Sequence, residues 1–251
     1  MMNVLSAFGI NTNADLTQIS SGLINSTWKV KSASSYYILQ RINDHVFVSP
    51  ENIHQNISAV SAYLNKYHPE YLFPAPILSL GGSELVHIPG EGYYRLFPFI
   101  AGTHTINVVE DAKQAFEAAE QCGRFTAYLG GFDVGQLKVT IPYFHDLLYR
   151  HQQFLDAINT GNAERVSAQQ ALIQRLANFE FLVKQFEDIS RNADFKKRVT
   201  HHDTKISNVL FNAANKAVCV IDLDTLMPGY FFSDVGDMMR TYLCPVSENE
   251  A

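Results

Sequence analysis

An α+β chain with two lobes is what this sequence predicts: a small antiparallel-sheet lobe carrying one helix, then a larger, mainly helical lobe. Three observations predict it. Apolar and aromatic strand-like runs dominate the first hundred residues. After residue 105 the apolar spacing lengthens to three and four. A pair of short apolar runs at residues 209–211 and 217–221 then follows the helical stretch. The boundary is expected near Gly102, dividing the chain into 1–102 and 103–251.

Each element has a local reason. Residues 26–30 and 36–42 are rich in β-branched and aromatic side chains and flank the polar stretch Lys31-Ser32-Ala33-Ser34-Ser35, which reads as a hairpin. Pro50 opens a helical pattern to Tyr67, with Ser49 as its N-cap and Pro50 in the first turn. Pro69, Pro74 and Pro76 end it. Residues 77–80 and 84–88 flank Gly81-Gly82-Ser83, a second hairpin signal. A further strand over 92–100 leads into Ala101-Gly102-Thr103. Three apolar stripes follow at helical spacing. They are Ala112, Phe116, Ala119, Cys122, Phe125 and Leu129; then Phe144, Leu148, His151, Leu155 and Ile158; then Leu172, Leu176, Phe179, Val183 and Phe186. Asn212-Ala213-Ala214-Asn215-Lys216 separates the two late strands.

Composition narrows the class. With 47% hydrophobic and 18% charged residues, the chain can bury a sizeable core and is not disordered. A net charge of −6, with no basic run longer than Lys196-Lys197-Arg198, argues against a nucleic-acid partner. Cys122, Cys219 and Cys244 are widely spaced and odd in number, which reads as buried free thiols in a reducing compartment. Met1 to Ile10 lacks the basic start and apolar core of a signal peptide. No apolar stretch approaches the roughly 18–20 residues of a membrane span. The expectation is a soluble cytoplasmic protein without a membrane partner.

The chemistry concentrates in His201-His202-Asp203-Thr204-Lys205-Ile206-Ser207-Asn208 and the later Ile221-Asp222-Leu223-Asp224. Phosphoryl transfer from a nucleoside triphosphate needs a carboxylate at the acceptor hydroxyl, a cation near the moving group, and oxygen ligands for Mg²⁺. Asp203 is the candidate base, Lys205 the cation, and Asn208 with Asp222 the metal ligands. Two alternatives compete at single positions. His201-His202 suggests zinc, but no third ligand has a fitting spacing. Asp222 alone would be a strand-end turn residue. The joint pattern on a strand–loop–strand favours phosphoryl transfer.

At these residues the sequence resembles the aminoglycoside phosphotransferase and choline kinase superfamily, relatives of the protein kinases. Within it, His202-Asp203-Thr204-Lys205, Val220 to Gly229, Asp234-Val235-Gly236-Asp237 and Thr140-Ile141-Pro142 are most similar to the N-acetylhexosamine 1-kinase subfamily. The resemblance covers residues 18–242. It implies a two-lobed protein-kinase-like fold and an ATP- and Mg²⁺-dependent kinase of a small-molecule acceptor, an amino sugar phosphorylated at its anomeric hydroxyl. An aminoglycoside or choline acceptor, or an inactive nucleotide-binding remnant, stands as the alternative.

The resemblance also implies roles in the first lobe. Gly22, Asn25 and Thr27 fall in the nucleotide-covering loop. The strand Tyr37-Ile38-Leu39-Gln40-Arg41 matches the one that carries a phosphate-binding cation, but the expected position holds Gln40. Either Gln40 contacts phosphate, or a bulge brings Arg41 to it. Arg95 to Ile100 matches the hinge, with Phe97 or Phe99 near the adenine ring. Glu51 is a candidate partner acid, or a first-turn helix acid. Asp237 is expected to brace the catalytic loop, and His145 and Asp146 either line the acceptor pocket or, for Asp146, cap a helix. The family continues past residue 240 into further helices, so the end at Ala251 suggests a fragment or a reduced acceptor lobe.

Overall fold

The computed structural model describes residues 1–19, 24–244 and 246, and it contains two compact units. One comprises Met1–Ile141 with Arg198–Ala251, the other Pro142–Lys197. In the first unit a short helix α1 (Met2–Ala7) precedes strands β1 (Asp15–Ile19), β2 (Ser26–Ser32) and β3 (Ser35–Ile42). Helix α2 (Pro50–Tyr67) follows, then β4 (Val86–Ile88), β5 (Gly92–Pro98) and β6 (Thr103–His104). The first five strands form one antiparallel sheet in the order β1-β2-β3-β5-β4.

The β2–β3 hairpin turns through Ala33, which takes a left-handed φ of 51°. Pairing is regular from Ser26↔Arg41 to Ser32↔Ser35 on one side and from Tyr37↔Pro98 to Ile42↔Tyr93 on the other. Leu39, Val30, Tyr94 and Leu96 point to one face and pack with Val4 and Leu5 of α1. That burial explains a helix of only six residues with no side-chain cap, which propensity alone does not support.

The second hairpin differs from the sequence expectation. Residues 77–80 are not a strand: Ile77 N–H makes one 2.6 Å bond to Leu96 O, and Leu78 and Leu80 are exposed. Gly81-Gly82 does turn the chain, but the strand partner of β5 is β4, reached through Pro89, Gly90 and Glu91. Ser49 precedes α2 with Pro50 in its first turn, yet its side chain makes no capping bond.

Helix α3 (Ala112–Tyr128) buries Cys122 and Phe125, while Phe116 of the expected stripe is exposed. The buried face carries Glu117 and Gln121 instead, because these reach the later hairpin. Glu117 pairs with Lys216, and Gln121 donates to Val218 O at 3.1 Å. Burial pushes the Cys122 and Cys219 thiols up to about 12, so both are inert at neutral pH.

The second unit holds α4 (Leu147–Thr160), α5 (Ala163–Ala168), α6 (Gln170–Ala177) and α7 (Phe181–Arg191). The stripe from Leu172 to Phe186 is thus split between two helices. Tight three-residue bonds at Phe179 and Glu180 break it. Asp146 caps α4 by accepting from Tyr149 N–H at 3.1 Å.

After this unit come β7 (Arg198–Thr200), β8 (Val209–Asn212), β9 (Ala217–Val220), β10 (Met227–Gly229) and α8 (Phe231–Tyr242). β8 and β9 form an antiparallel hairpin, with β6 beside β8, and β10 pairs with β7. These strands share a core with α2 and α3 through Ile53, Ile57, Phe125, Phe211 and Leu226. Among the described residues no helix is long and apolar enough to cross a membrane.

Candidate active site

The chain between β7 and β8 is shaped by bonds to its own backbone. Two buried N–H groups, of His201 and His202, donate to Asp234 Oδ2 and Oδ1 at 2.9 and 2.7 Å. His202 takes a left-handed φ of 67°, which lets successive N–H groups converge on one carboxylate. Asp234 lies in the first turn of α8, where the helix dipole favours a negative charge. Burial still raises its carboxyl above the usual range, with the two N–H bonds opposing the shift.

Further bonds lock the same loop. Thr204 Oγ1 donates to Asp234 O at 2.9 Å and to Asp237 Oδ2 at 3.3 Å. Tyr242 OH donates to Thr204 O, and Thr225 Oγ1 to His201 O. The His201 ring is structural too. Its Nε2 meets Ile221 O at 2.9 Å, and its Nδ1 receives Asp203 N–H at 3.3 Å. These contacts select the Nε2–H tautomer. Among the described residues no group of three His, Cys, Asp or Glu side chains forms a metal cluster.

So held, the loop brings three of the predicted residues together. Asp203 Oδ2 accepts from Lys205 Nζ at 2.8 Å and from Asn208 Nδ2 at 2.9 Å. Asn208 Nδ2 also donates to Asp203 O, which fixes the amide so that its nitrogen faces Asp203 and its oxygen does not. Asn208 lies in a short 3₁₀ turn, Ile206–Asn208, whose end starts β8. Ile221 N–H donates to Asn208 O at 2.8 Å, so the hairpin returns Asp222 beside Asn208.

Asp222 takes a left-handed φ of 62°, strained for a residue with a side chain, although Asp tolerates it better than most. Its carboxylate keeps a solvent-accessible face and makes no hydrogen bond among the described residues. Even so, surrounding protein strips part of its hydration, and the Asp224 and Asp203 carboxylates oppose its charge. Together they raise its pKa to about 6, against the partial offset of Lys205 and Arg95. An oxygen whose ionisation is discouraged by neighbouring acids is one that a cation would relieve. One carboxylate and one amide oxygen from the chain, with phosphate and water completing the shell, fit Mg²⁺.

The first-lobe candidates divide between two faces of the sheet. Thr27, Gln40 and Arg95 stand in one cross-strand row, and Gln40 Nε2 donates to Thr27 Oγ1 at 3.2 Å. Arg41 points to the opposite face, with Leu39, and is exposed. The β3–β5 ladder has no bulge that would turn it back. Arg95, which no local motif marks, has a guanidinium that is 3% exposed and pairs with Asp224. Strand register places it opposite Gln40, a relation between distant residues that no local motif displays. Asn25 Nδ2 donates to Asp224 Oδ2, and Asn25 Oδ1 accepts from Asn43 N–H. Phe97 lies beneath the Arg95 guanidinium at 5.0 Å, and Phe99 packs near Lys29 and Tyr36. Glu51 is exposed and faces Tyr93. Gly22 lies outside the described residues.

Asn56 of α2 was also missed. It is fully buried and bonds Lys138 O, Lys138 N–H and Leu226 O at 2.7, 2.8 and 2.7 Å, so it pins the segment that follows Asp222. An Asn within an amphipathic pattern looks like a polar-face residue, so the sequence conceals it.

Comparison with known proteins agrees with this architecture. The model of the phosphotransferase enzyme family matches residues 15–250. A microcompartment-associated aminopropanol kinase superposes with a TM-score of 0.70 at 17% identity, over 95% of this chain and 72% of that one. An amicoumacin kinase solved with AMP-PNP and Ca²⁺ gives 0.65 at 16% identity, over 95% of this chain and 67% of that one. A spectinomycin phosphotransferase solved with ADP and spectinomycin gives 0.57 at 17%, over 93% and 70%. At such identities the likeness establishes the α+β fold, and the family match over nearly the whole chain establishes the rest: this protein belongs to the phosphotransferase enzyme family, a family of small-molecule kinases.

Proposed function

We propose that the chain moves the γ-phosphoryl group of ATP to a hydroxyl of a small molecule, the anomeric hydroxyl of an N-acetylhexosamine. The observation that carries this reading is the Lys205–Asp203–Asn208 triad lying beside Asp222. Lys205 and Asn208 occupy Asp203 Oδ2, which leaves Oδ1 to orient the acceptor hydroxyl and take its proton late in the transfer. Lys205 then lies where charge builds on the transferred oxygens. Asn208 Oδ1 and the Asp222 carboxylate would hold Mg²⁺, which supplies charge neutralisation at the phosphates.

On this reading residues 1–102 cover the nucleotide and 103–251 carry the chemistry. Asn25 and Thr27 lie over the phosphates and Gln40 faces them, while Phe97 or Phe99 meets the adenine. The AMP-PNP, Ca²⁺ and ADP bound by two relatives support a nucleotide and a divalent cation. The amino-sugar acceptor rests on the subfamily strings at residues 202–205 and 220–229. A reducing, cytoplasmic setting suits the three free cysteines.

The test is ATP consumption over N-acetylhexosamines, plain hexoses, choline and aminoglycosides. Consumption with an N-acetylhexosamine alone is the expected result. Consumption only with choline or an aminoglycoside refutes the acceptor. Nucleotide binding without consumption on any of them refutes catalysis and favours an inactive remnant.

A further inference from the structure

We propose that Arg95 is a positioning residue for the metal-binding turn, acting through Asp224 on Asp222. This rests on the reading of Asp222 as a cation ligand. Arg95 stands on β5 directly opposite Gln40 of β3. Its Nε and Nη2 both donate to Gln40 Oε1, at 3.1 and 2.9 Å, and Nη2 also donates to Asp224 Oδ1. Asn25 takes the other Asp224 oxygen. Two separate segments of the first lobe thus meet on one carboxylate that is 2% exposed, and a third, β3, clamps Arg95 through Gln40.

Asp224 sits in the 3₁₀ turn Leu223–Thr225, two residues beyond Asp222. A left-handed aspartate is strained even though Asp tolerates that conformation better than most residues. It must be held from both sides. On one side the Ile221 N–H bond to Asn208 O anchors it, and on the other the Arg95–Asp224 pair does. The pair is a poor source of stability. Both charges are desolvated, and Arg95 Nη1 is buried with no hydrogen-bond partner. Its value lies in geometry, since a planar fork clamped by Gln40 fixes the direction of approach to Asp224. The guanidinium is enclosed between Phe97 and Asp224, so it works through the carboxylate rather than by touching nucleotide.

The experiment measures the dissociation constant of ADP in EDTA and in excess Mg²⁺, together with the melting temperature. The variants are Arg95→Lys and the exchange Gln40→Arg/Arg95→Gln, both of which keep the buried charge. Arg95→Lys should cut the Mg²⁺-dependent gain in affinity about tenfold while leaving the EDTA value within about twofold, because an ammonium cannot clamp two partners in one plane. The exchange should restore most of the gain, since the two side chains are cross-strand neighbours. An unchanged gain in folded Arg95→Lys overturns the proposal. Equal losses in EDTA and Mg²⁺ also overturn it, because they indicate direct phosphate contact. If Arg95→Lys does not fold, the exchange variant decides, and a folded exchange variant with no Mg²⁺ gain refutes the idea. A wild-type chain without any Mg²⁺-dependent gain instead removes Asp222 as a ligand.

Discussion

Replacing Asp234 by alanine removes the acceptor of two buried backbone N–H groups at once. Each orphaned donor costs about 1–3 kcal/mol, so the pair costs about 2–6 kcal/mol. Against this stands the release of a buried carboxylate whose pKa burial has already raised. The net loss should be about 2–4 kcal/mol. For a chain of this length each kcal/mol lowers the melting temperature by about 2–4 °C, giving a fall of about 4–16 °C. The same bonds hold His201 and His202 immediately before Asp203. A displacement of the base by about 1 Å costs on the order of a hundredfold in rate, so kcat should fall more than the KM for nucleotide rises. Calorimetry on the purified variant, with steady-state transfer kinetics, measures both. Melting within about 2 °C of wild type together with unchanged kcat would refute the brace.

Other consequences are simpler to measure. Asp222, with its pKa raised to about 6, must lose a proton to bind a cation. Mg²⁺-dependent nucleotide affinity should therefore be flat above pH 6 and weaken below it, by up to about tenfold per pH unit. Affinity independent of pH between about 5 and 7 would contradict this. In Asp222→Ala the Mg²⁺ dependence should vanish, and affinity unchanged by the substitution removes the residue from the ligand set. Gly229→Ala places a Cβ 2.4 Å from the His202 ring and 2.7 Å from Thr200 Oγ1, neither of which can yield in a packed loop. It should cost about 1–3 kcal/mol and lower transfer activity; a variant as stable and active as wild type shows that the loop can shift.

What the sequence displayed, and what it hid, follows from the range of each interaction. The β2–β3 hairpin and the turn from Asp203 to Asn208 depend on neighbours within a few residues, so composition and spacing reveal them. The strand expected at residues 77–80 fails because a Gly-Gly turn signal says nothing about a free sheet edge, and β5 offers that segment one bond. The α3 face shifts because Glu117 and Gln121 are buried by partners nearly a hundred residues away. Arg95 escapes notice for the same reason: its meaning lies in register with Gln40 and in Asp224, 129 residues on. The sequence points to Asp237 as the loop brace, and the structure shows that Asp234 takes the two backbone N–H groups.

Asp203 is proposed to perform the transfer while other residues bind the nucleotide. Single-turnover phosphoryl transfer from ATP to an N-acetylhexosamine by Asp203→Asn, with Mg-ATP affinity measured on the same sample, tests it most directly. The expected rate is lower by about 10²–10⁴-fold with affinity nearly intact. Transfer at the wild-type rate would contradict it.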